Sequence, residues 1–481
     1  MILHPLEPQA IWKHFENLNA VPRPSKKEAC VRDFMKKFGE NLGLETHADA
    51  VGNIVIKKPG SKGKENSPKI ALQAHLDMVH QKNSQTDFDF DTQGIAMFID
   101  GDWVRAKGTT LGADNGIGVA AIMALLESTD IPHPPLEALF TIDEETGMTG
   151  AKNLDASLIS AKVMLNLDTE EDDEVDIGCA GGIDVTASAN YVEQPTPTDS
   201  EAYHIVVKGL RGGHSGIDIH RGFGNANKII NQIWIDLAEK FDFQLNYLQG
   251  GSLRNAIPRE AEAILVTAKS TATDFESVFK TIVAKIQSDF SSIEPHLKIE
   301  LKQTHLPEKV VEKAFQEKVI QSIKQAHNGV YRFQKDFPDM VETSNNLAKV
   351  TMKSGQLSID CLTRSSSEKS KHELANLLRN TFETSGFEVQ LGNDYPGWNP
   401  EPEAEILHRY IRLYETLHGQ KPHVVACHAG LECGILKEKL PDVQMISFGP
   451  TILGAHSPDE RVCISSVQKF WEILVRLLAE I

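Results

Sequence analysis

The sequence has little cysteine, and none of it is arranged for a metal cluster or a disulfide framework. Only six cysteines occur in 481 residues, and they are scattered without a Cys-x-x-Cys pair. This argues against both a thiolate zinc site and a small disulfide-stabilised scaffold. The first residues also lack the basic and then apolar pattern of a secretion signal. We therefore expect a protein of the reducing cytoplasm.

Long apolar runs and an excess of positive charge are missing as well. No apolar segment reaches the roughly 18 residues that a membrane-spanning helix requires. Lys and Arg number 49 against 67 Asp and Glu, which gives a net charge of −18. Such an acidic chain is not expected to bind nucleic acid or an anionic membrane. A hydrophobic content of 41% is ample for a folded core, and the length suggests more than one domain.

Two familiar glycine motifs are absent although glycines cluster before a predicted helix. Gly112, Gly116 and Gly118 precede an apolar helical run over 119–126, which first suggests a phosphate site at a helix N-terminus. However, neither the Gly-Lys-Ser/Thr of a P-loop nor the spacing of a dinucleotide fingerprint is present. Asp114 in the middle of this stretch suits a cation better than an anion. The His-Glu-x-x-His helix of many zinc proteases is also missing.

The order of predicted strands and helices indicates two domains, one inserted into the other. Residues 1–185 alternate buried strands with helices, which predicts an α/β domain with a mostly parallel central sheet flanked by helices. Residues 186–396 combine longer strands in an antiparallel or mixed sheet with four long helices, as in an α+β domain. Residues 397–481 return to α/β patterning and are predicted to complete the first domain.

Side chains that bind metals recur at the ends of these predicted strands. The candidates are two imidazoles and three carboxylates, all predicted in loops: His75, Asp114, Glu145, Asp168 and His456. Ligand sites of α/β sheets gather at such strand ends, although each residue taken singly could be a helix cap or a solvated charge. Five donors are too many for one tetrahedral zinc with an open position. They suit two metals that share a carboxylate, and they are compatible with Zn, Co or Mn.

Glu144 stands directly before the candidate ligand Glu145. Neighbouring residues at a strand end point in different directions. One carboxylate can therefore bind a metal while the other accepts a proton from a nearby water. A ligand and a general base placed side by side are what metal-assisted hydrolysis requires.

The stretches that contain these residues resemble a known superfamily. Residues 75–77, 112–116, 143–147, 166–168 and 454–457 are similar, in this order, to the metal-site motifs of the co-catalytic aminopeptidase/carboxypeptidase/aminoacylase superfamily, which implies a zinc-exopeptidase-like fold. Three more stretches resemble its bacterial aminoacyl-histidine dipeptidases, also called Xaa-His dipeptidases, carnosinase-like enzymes or peptidase D. These stretches are 11–15 with 21–25, 209–216 and 428–434.

The resemblance implies a role for each residue of the metal site. Asp114 would bridge two divalent ions, zinc first and cobalt or manganese as alternatives. The remaining ligands would be His75 and Asp168 for one ion, and Glu145 and His456 for the other. Glu144 would be the general base, and Asp77 would orient His75. A cis peptide bond between Asp114 and Asn115 is also implied.

The inserted domain would supply contacts to the substrate. His214 would polarise the scissile carbonyl, Arg364 would bind the C-terminal carboxylate and Asn255 would add a hydrogen bond. Glu432, outside this domain, is a candidate for the substrate α-amino group. The inserted domain is also expected to act as a lid and to form a homodimer.

The sequence therefore predicts a two-metal dipeptidase for unblocked dipeptides that prefers Xaa-His, including β-Ala-His. An N-acyl amino-acid amidohydrolase or a carboxypeptidase is the alternative within the superfamily. Against it stand the long inserted domain and the three dipeptidase-like stretches. A non-catalytic peptide- or metal-binding protein is disfavoured, because it would not need five ligands together with Glu144.

Overall fold

Two groups of contacting residues make up the chain in the computed structural model, which describes residues 2–335 and 337–481. The first unit comprises the chain up to Gly178 together with 398–426 and 431–481, and the second comprises 179–397 and 427–430. The sequence predicted domain boundaries after residues 185 and 396. The second unit thus begins somewhat earlier than predicted, and it also includes a short segment near the end of the chain.

The first segment of the chain alternates strands and helices. Strands β3 and β6 are buried along their whole length, as expected of strands covered on both faces. The elements are α1 (Gln9–Asn19), α2 (Ala29–Asn41), β1 (Glu45–Ala48), β2 (Ile54–Lys58), β3 (Ile70–His75), β4 (Met97–Asp100), β5 (Trp103–Ala106), α3 (Ala113–Glu127), β6 (Leu136–Thr141), α4 (Glu144–Gly147), α5 (Thr149–Lys152), β7 (Val163–Asn166) and β8 (Glu174–Cys179).

The inserted segment has longer strands and four α-helices. In order, its elements are β9 (Gly181–Asn190), β10 (Glu193–Pro195), β11 (Ser200–Lys208), α6 (Ala226–Ala238), β12 (Phe243–Gly250), β13 (Ala261–Ala268), α7 (Ala272–Asp289), β14 (Lys298–Thr304), β15 (Lys309–Val311), α8 (Lys313–Gln325), β16 (Gly329–Phe333), β17 (Val341–Lys353), β18 (Gln356–Ser365), α9 (Glu368–Thr384) and β19 (Glu388–Tyr395). The four helices agree closely with the helical runs expected from the sequence.

The final segment returns to the first unit. Its elements are α10 (Glu405–His418), β20 (His423–Cys427), α11 (Glu432–Lys439), β21 (Gln444–Ser447), β22 (Ile452–Leu453), β23 (Arg461–Cys463) and α12 (Ile464–Glu480). Helix α12 buries an apolar face that includes Val467, Phe470, Leu474 and Leu477. This spacing of three and four residues is that of an amphipathic helix.

An eight-stranded sheet forms the centre of the first unit. Its strand order is β1-β2-β6-β3-β7-β21-β8-β20. The four inner strands β6, β3, β7 and β21 run parallel, whereas β1, β2 and β8 pair antiparallel to their neighbours. The carboxyl ends of the four parallel strands therefore lie at one edge, where sites of such sheets are found. Strands β22, β23, β5 and β4 form a second, smaller sheet.

A nine-stranded antiparallel sheet organises the second unit. The order is β14-β11-β13-β12-β17-β18-β9-β19, with β16 paired to β17. Helices α6 to α9 contribute to one apolar core with this sheet, for example through Trp234, Phe275, Val319 and Leu378. The second unit therefore has a hydrophobic core of its own.

Candidate active site

The five predicted metal donors all belong to the first unit, but they do not all lie in loops as expected. His75 is the last residue of β3, and Asp168 follows β7 by two residues. Glu145 occupies the second position of helix α4, and Asp114 lies at the start of α3 with a φ of −78° and a ψ of 112°, which are not helical. Only His456, between β22 and β23, and Asp168 lie in loops.

Asp114 lies between the two histidines and touches each with a different oxygen. His75 Nε2 is 3.0 Å from Asp114 Oδ1, and His456 Nε2 is 3.3 Å from Asp114 Oδ2. Glu145 Oε2 is 2.9 Å from His456 Nε2, and Asp168 Oδ1 is 3.5 Å from His75 Nε2. The donors therefore form two groups that meet at one carboxylate. The bond between Asp114 and Asn115 is cis, as the resemblance implied.

The chemistry of this set fits divalent cations. The ligand atoms of His75, Asp114 and Glu145 lie within 4.8 Å of one another. Among the described residues, Glu145 Oε1 is buried without a hydrogen-bond partner, and Asp168 Oδ1 has only the 3.5 Å contact with His75 Nε2. A buried carboxylate oxygen that lacks a partner is costly unless something else neutralises it. Burial also raises the pKa of Asp168, to about 6. Nitrogen and oxygen donors without thiolate suit Zn, Co or Mn.

Asp77 holds the backbone that carries both glutamates. Its carboxylate accepts hydrogen bonds from the backbone N–H groups of Glu144 and Glu145, at 3.0 and 3.3 Å. The predicted contact with His75 is made chiefly through the backbone, because His75 Nδ1 is 3.1 Å from the Asp77 carbonyl oxygen and 3.5 Å from its carboxylate. Burial raises the pKa of Glu144 well above its usual range, and nearby Asp168 adds to this shift.

The segment after β6, expected to be an open loop, consists of two four-residue helices, α4 and α5. Asp143, directly before the first helix, has a φ of +53°, and its carboxylate accepts hydrogen bonds from the hydroxyls of Thr146 and Thr149. The N–H groups that lack partners at the start of α4 are bound instead by the Asp77 carboxylate, which accepts from Glu144 N and Glu145 N.

Sequence reasoning missed a chain of buried polar side chains beneath these ligands. Gln73 Nε2 donates to Glu432 Oε2 at 2.8 Å, and the Thr141 hydroxyl donates to the same oxygen at 2.5 Å. Asn166 donates to Gln73 Oε1 and accepts from Ser447. Each lies near the carboxyl end of a different inner strand, apart from Glu432 in α11. An alternation pattern cannot reveal such contacts, because each polar residue interrupts an otherwise apolar strand.

Glu432, the candidate partner for a substrate amino group, is 1% exposed. Its Oε1 has no hydrogen-bond partner among the described residues, while Gln73 and Thr141 hold Oε2. Burial raises its pKa to about 8. One oxygen is thus fixed by the protein and the other is left for a further donor.

In the second unit, Arg364 is held by two hydroxyl groups. Its Nε donates to Ser215 Oγ at 3.3 Å and its Nη1 to Tyr395 Oη at 3.0 Å. Arg364 on β18 pairs with Gly182 on β9, and β19 lies on the other side of β9. A Cβ on Gly182 would lie 2.6 Å from Tyr395 Oη. The glycine therefore leaves the space that the tyrosine needs to reach Arg364, a role that the sequence did not reveal.

The hydrogen bonds of His214 define which nitrogen of its neutral imidazole ring carries the proton. The backbone N–H groups of Gly216 and Ile217 both donate to Nδ1, at 3.2 and 3.1 Å. Because Nδ1 accepts, the proton of the neutral ring is on Nε2. Burial and the charge of Arg364 lower the pKa of His214 to about 4. The side chain of Asn255 is exposed, and its backbone carbonyl accepts from Ser215 N at 2.8 Å.

Comparison with known proteins identifies the family. The model of peptidase family M20/M25/M40 matches residues 71–480. The chain belongs to this family. It is therefore a hydrolase that acts on peptide bonds. The cytosol non-specific dipeptidase of Escherichia coli (strain K12) is 39% identical over 479 residues, which cover 100% of this chain and 99% of that protein.

Solved structures extend the similarity of this M20/M25/M40 peptidase to the whole fold. The aminoacylhistidine dipeptidase of Vibrio alginolyticus superposes with a TM-score of 0.94 at 39% identity, covering 100% of this chain and 98% of that one. The aminopeptidase PepT of Bacillus cereus shares the fold, with a TM-score of 0.57 at 16% identity over 99% of each chain.

These comparisons confirm the predicted family and fold class. The mixed α/β fold of the chain, with a parallel centre in its eight-stranded sheet, matches zinc-exopeptidase-like structures. Within the described part of the chain, no helix is both long and apolar enough to cross a bilayer.

Proposed function

We propose that this chain is a two-metal dipeptidase that hydrolyses unblocked dipeptides and prefers Xaa-His, including β-Ala-His. The observation that carries the proposal is Asp114, whose two carboxylate oxygens each touch one imidazole of a separate donor group. The names of the Escherichia coli and Vibrio alginolyticus relatives support a dipeptidase. The first of these names also supports our expectation of a cytoplasmic enzyme.

The residues present would hold two divalent ions. His75 and Asp168 would bind one ion, Glu145 and His456 the other, and Asp114 both. When bound, the ions supply Lewis acidity that polarises the carbonyl and eases ionisation of the attacking water. We propose that both ions are zinc, with cobalt or manganese as alternatives.

Glu144 would perform the proton transfers. Its carboxylate would accept a proton from the attacking water and then deliver it to the nitrogen of the leaving amine. Asp77 supports this role, because its carboxylate anchors the backbone N–H of Glu144 at 3.0 Å. A base held from its own backbone stays aligned with the reacting atoms between the two transfers.

Residues of the second unit would bind the substrate ends and the developing charge. His214 would donate its Nε2–H to the carbonyl oxygen that becomes negative, and its low pKa keeps the ring neutral for this task. The guanidinium of Arg364 would bind the C-terminal carboxylate, with a hydrogen bond from Asn255. Glu432 Oε1 would receive the α-amino group. We also propose a homodimer formed through the second unit, which sedimentation would test.

The decisive experiment measures hydrolysis of Ala-His, β-Ala-His, amidated Ala-His and N-acetyl-histidine. We expect cleavage of the free dipeptides and little of the N-acetylated compound. Rapid release of acetate from N-acetyl-histidine, without dipeptide cleavage, would contradict the proposal and show that the chain is an amidohydrolase.

The role of Glu144 is tested in the same assay with Glu144→Gln. We expect kcat to fall at least about 1,000-fold, because a general base contributes about 10²- to 10⁴-fold and the amide cannot accept the proton. Metal content by elemental analysis should remain close to two per chain. Glu137→Gln is the matched control, since Glu137 is buried in β6, the strand before Glu144, and accepts hydrogen bonds from Ser160 and Ala161. Near-wild-type turnover of Glu144→Gln would remove the base assignment.

A further inference from the structure

Arg23 is a buried guanidinium that no step of the proposed reaction uses. It is 1% exposed and makes no ion pair with the described residues, so its charge needs other partners. Its Nη1 donates to the carbonyl oxygens of Leu76 and Asp77, each at 3.1 Å. Its Nη2 donates to the Gly112 carbonyl at 2.5 Å and to Asn19 Oδ1 at 2.9 Å. Three of these four acceptors are backbone carbonyls.

These carbonyls belong to the two segments that carry His75 and Asp114. Leu76 directly follows His75, and Gly112 precedes Asp114 by two residues. One planar group therefore links the end of β3 to the start of α3. The guanidinium has a rigid donor geometry, unlike a lysine ammonium. It can thus fix the separation of the two segments, in which His75 Nε2 lies 3.0 Å from Asp114 Oδ1.

The glycines before and within α3 make room for this guanidinium. A Cβ on Gly112 would lie 2.5 Å from Arg23 Nη2, and a Cβ on Gly116 would lie 2.6 Å from the same atom. Gly112 also has a φ of +70°. The glycine-rich stretch therefore allows the backbone to approach a buried cation of the protein itself, rather than a phosphate.

Glu460 holds the same segment through its N–H groups. It is 2% exposed. Its Oε2 accepts from Leu111 N and Gly112 N at 2.7 and 2.9 Å, and its Oε1 accepts from Ala113 N and Asp114 N at 2.7 and 3.3 Å. Four consecutive N–H groups thus bind one carboxylate, while the carbonyl of Gly112 binds Arg23. The segment that leads into Asp114 is therefore held through both N–H and carbonyl groups.

We propose that Arg23 and Glu460 are positioning residues that set the location of the shared carboxylate Asp114 relative to His75. They touch neither substrate nor metal, and they act through the backbone of the 111–114 segment. This inference rests on the proposed function, because it concerns the affinity of the site for the two ions. Residues that orient metal ligands typically change metal affinity by about 10- to 100-fold when replaced.

The test measures zinc binding to metal-free protein by competition with a chromophoric chelator, together with kcat and KM for Ala-His. Arg23→Lys keeps the positive charge but loses the planar pair of donor groups. For this variant we expect the dissociation constant of the more weakly bound zinc ion to rise about 10- to 100-fold. At saturating zinc, kcat should fall while KM stays within twofold. Hydrogen exchange of residues 111–118 should increase in the metal-free protein. Glu460→Gln should act in the same direction, since its amide presents a donor to N–H groups.

A second variant leaves Arg23 chemically intact. Gly116→Ala places a methyl group against Arg23 Nη2, yet alanine favours a helix more than glycine does. We expect weaker zinc binding in Gly116→Ala despite the better helix propensity. Lys371→Met is the matched control for removing a buried cation. Lys371 is 0% exposed and binds Glu368 and the Tyr395 carbonyl in the second unit, so zinc affinity should not change.

The outcomes separate this inference from the function on which it rests. Wild-type protein that binds two zinc ions, with Arg23→Lys and Gly116→Ala both within twofold of it, would overturn the positioning role alone. Wild-type protein that binds no zinc would overturn both. Weaker zinc binding in Lys371→Met to the same degree would show a general loss of stability and would also contradict the positioning role.

Discussion

The hydrogen bonds of Arg364 determine which of its guanidinium N–H groups can still bind a ligand. Ser215 and Tyr395 accept from Nε and Nη1, so the guanidinium is already oriented for the substrate carboxylate that we propose it binds. A side chain ordered in advance loses less conformational entropy on binding. Tyr395 therefore should contribute to substrate affinity without touching the substrate.

Tyr395→Phe tests this contribution. We expect KM for Ala-His to rise about three- to tenfold, equivalent to a net hydrogen bond of about 1 kcal/mol, with kcat little changed. KM for amidated Ala-His should hardly move, and Arg364→Ala should raise KM for the free dipeptide further. Tyr247→Phe is the control, because Tyr247 binds Gln249 and Glu262 elsewhere in the second unit. Equal effects on free and amidated dipeptides would contradict the role.

His428 should make the second unit sensitive to acid. Its Nε2 is 2.8 Å from Ser344 Oγ. Burial and the charge of Arg364, with smaller contributions from His214 and His220, lower its pKa to about 3. The unfolded chain binds a proton near pH 6.5, whereas the folded chain does so only near pH 3. Stability is therefore full above about pH 6.5 and falls by about 1.4 kcal/mol per pH unit below it.

The measurement compares Tm of wild type and His428→Gln from pH 7 to pH 4, both with chelator so that metal loss cancels. At pH 7 the variant should be less stable, because the bond with Ser344 is lost. The difference should shrink steadily as the pH falls, since glutamine does not titrate. A difference that is constant over this range would show that His428 is not held neutral.

At the scale of elements, polar side chains connect the ends of the inner strands. Gln73 in β3, Thr141 in β6, Asn166 in β7 and Ser447 in β21 form one hydrogen-bonded row that ends at Glu432. All are buried. Because a buried polar group is costly when it loses a partner, this row favours one relative arrangement of β3, which ends at His75, and of β6 and β7, which precede Glu145 and Asp168.

Thr141→Val should therefore cost stability although it keeps the shape of the side chain. Removing the hydroxyl takes one donor from Glu432 Oε2 and one acceptor from Gln73 Nε2. We expect the free energy of unfolding in urea to fall by about 1–3 kcal/mol. Thr141→Ser, which keeps the hydroxyl, should lose less. If serine cost as much as valine, packing of the methyl group rather than the hydrogen bonds would explain the effect.

Sequence periodicity predicted elements better than their ends and their distant partners. Strands β3 and β6 and helices α6 to α9 were predicted because apolar residues recur at strand or helix spacing. Helix α4 was not, since four residues stabilised by Asp143 and two threonines carry no periodic signal. Arg23 and Glu460 could not be placed either, because they bind backbone atoms far away in the chain. The donor types were visible because carboxylates and histidines recur where predicted apolar strands end.

At the scale of the whole molecule, the two units differ in what stabilises them. The second unit has its own apolar core and sheet and contains none of the five proposed ligands. The first unit joins segments from both ends of the chain, and the ligands come from both. His456 belongs to the final segment, whereas the other four ligands belong to the first. Bound ions would therefore hold the separate parts of the first unit together.

Metal removal should consequently loosen the first unit alone. A ligand that binds only the folded state stabilises it by about 2.7 kcal/mol at a concentration 100 times its dissociation constant. Chelation removes this contribution and leaves three carboxylates close together without a cation. We expect hydrogen exchange to accelerate in β3, β7 and the 454–461 segment, with no change in β17 and β18. In Asp114→Ala, which lacks the shared carboxylate, the chelator should cause little further increase in hydrogen exchange. Faster exchange of equal size in both units would mean that the ions do not act through these five residues.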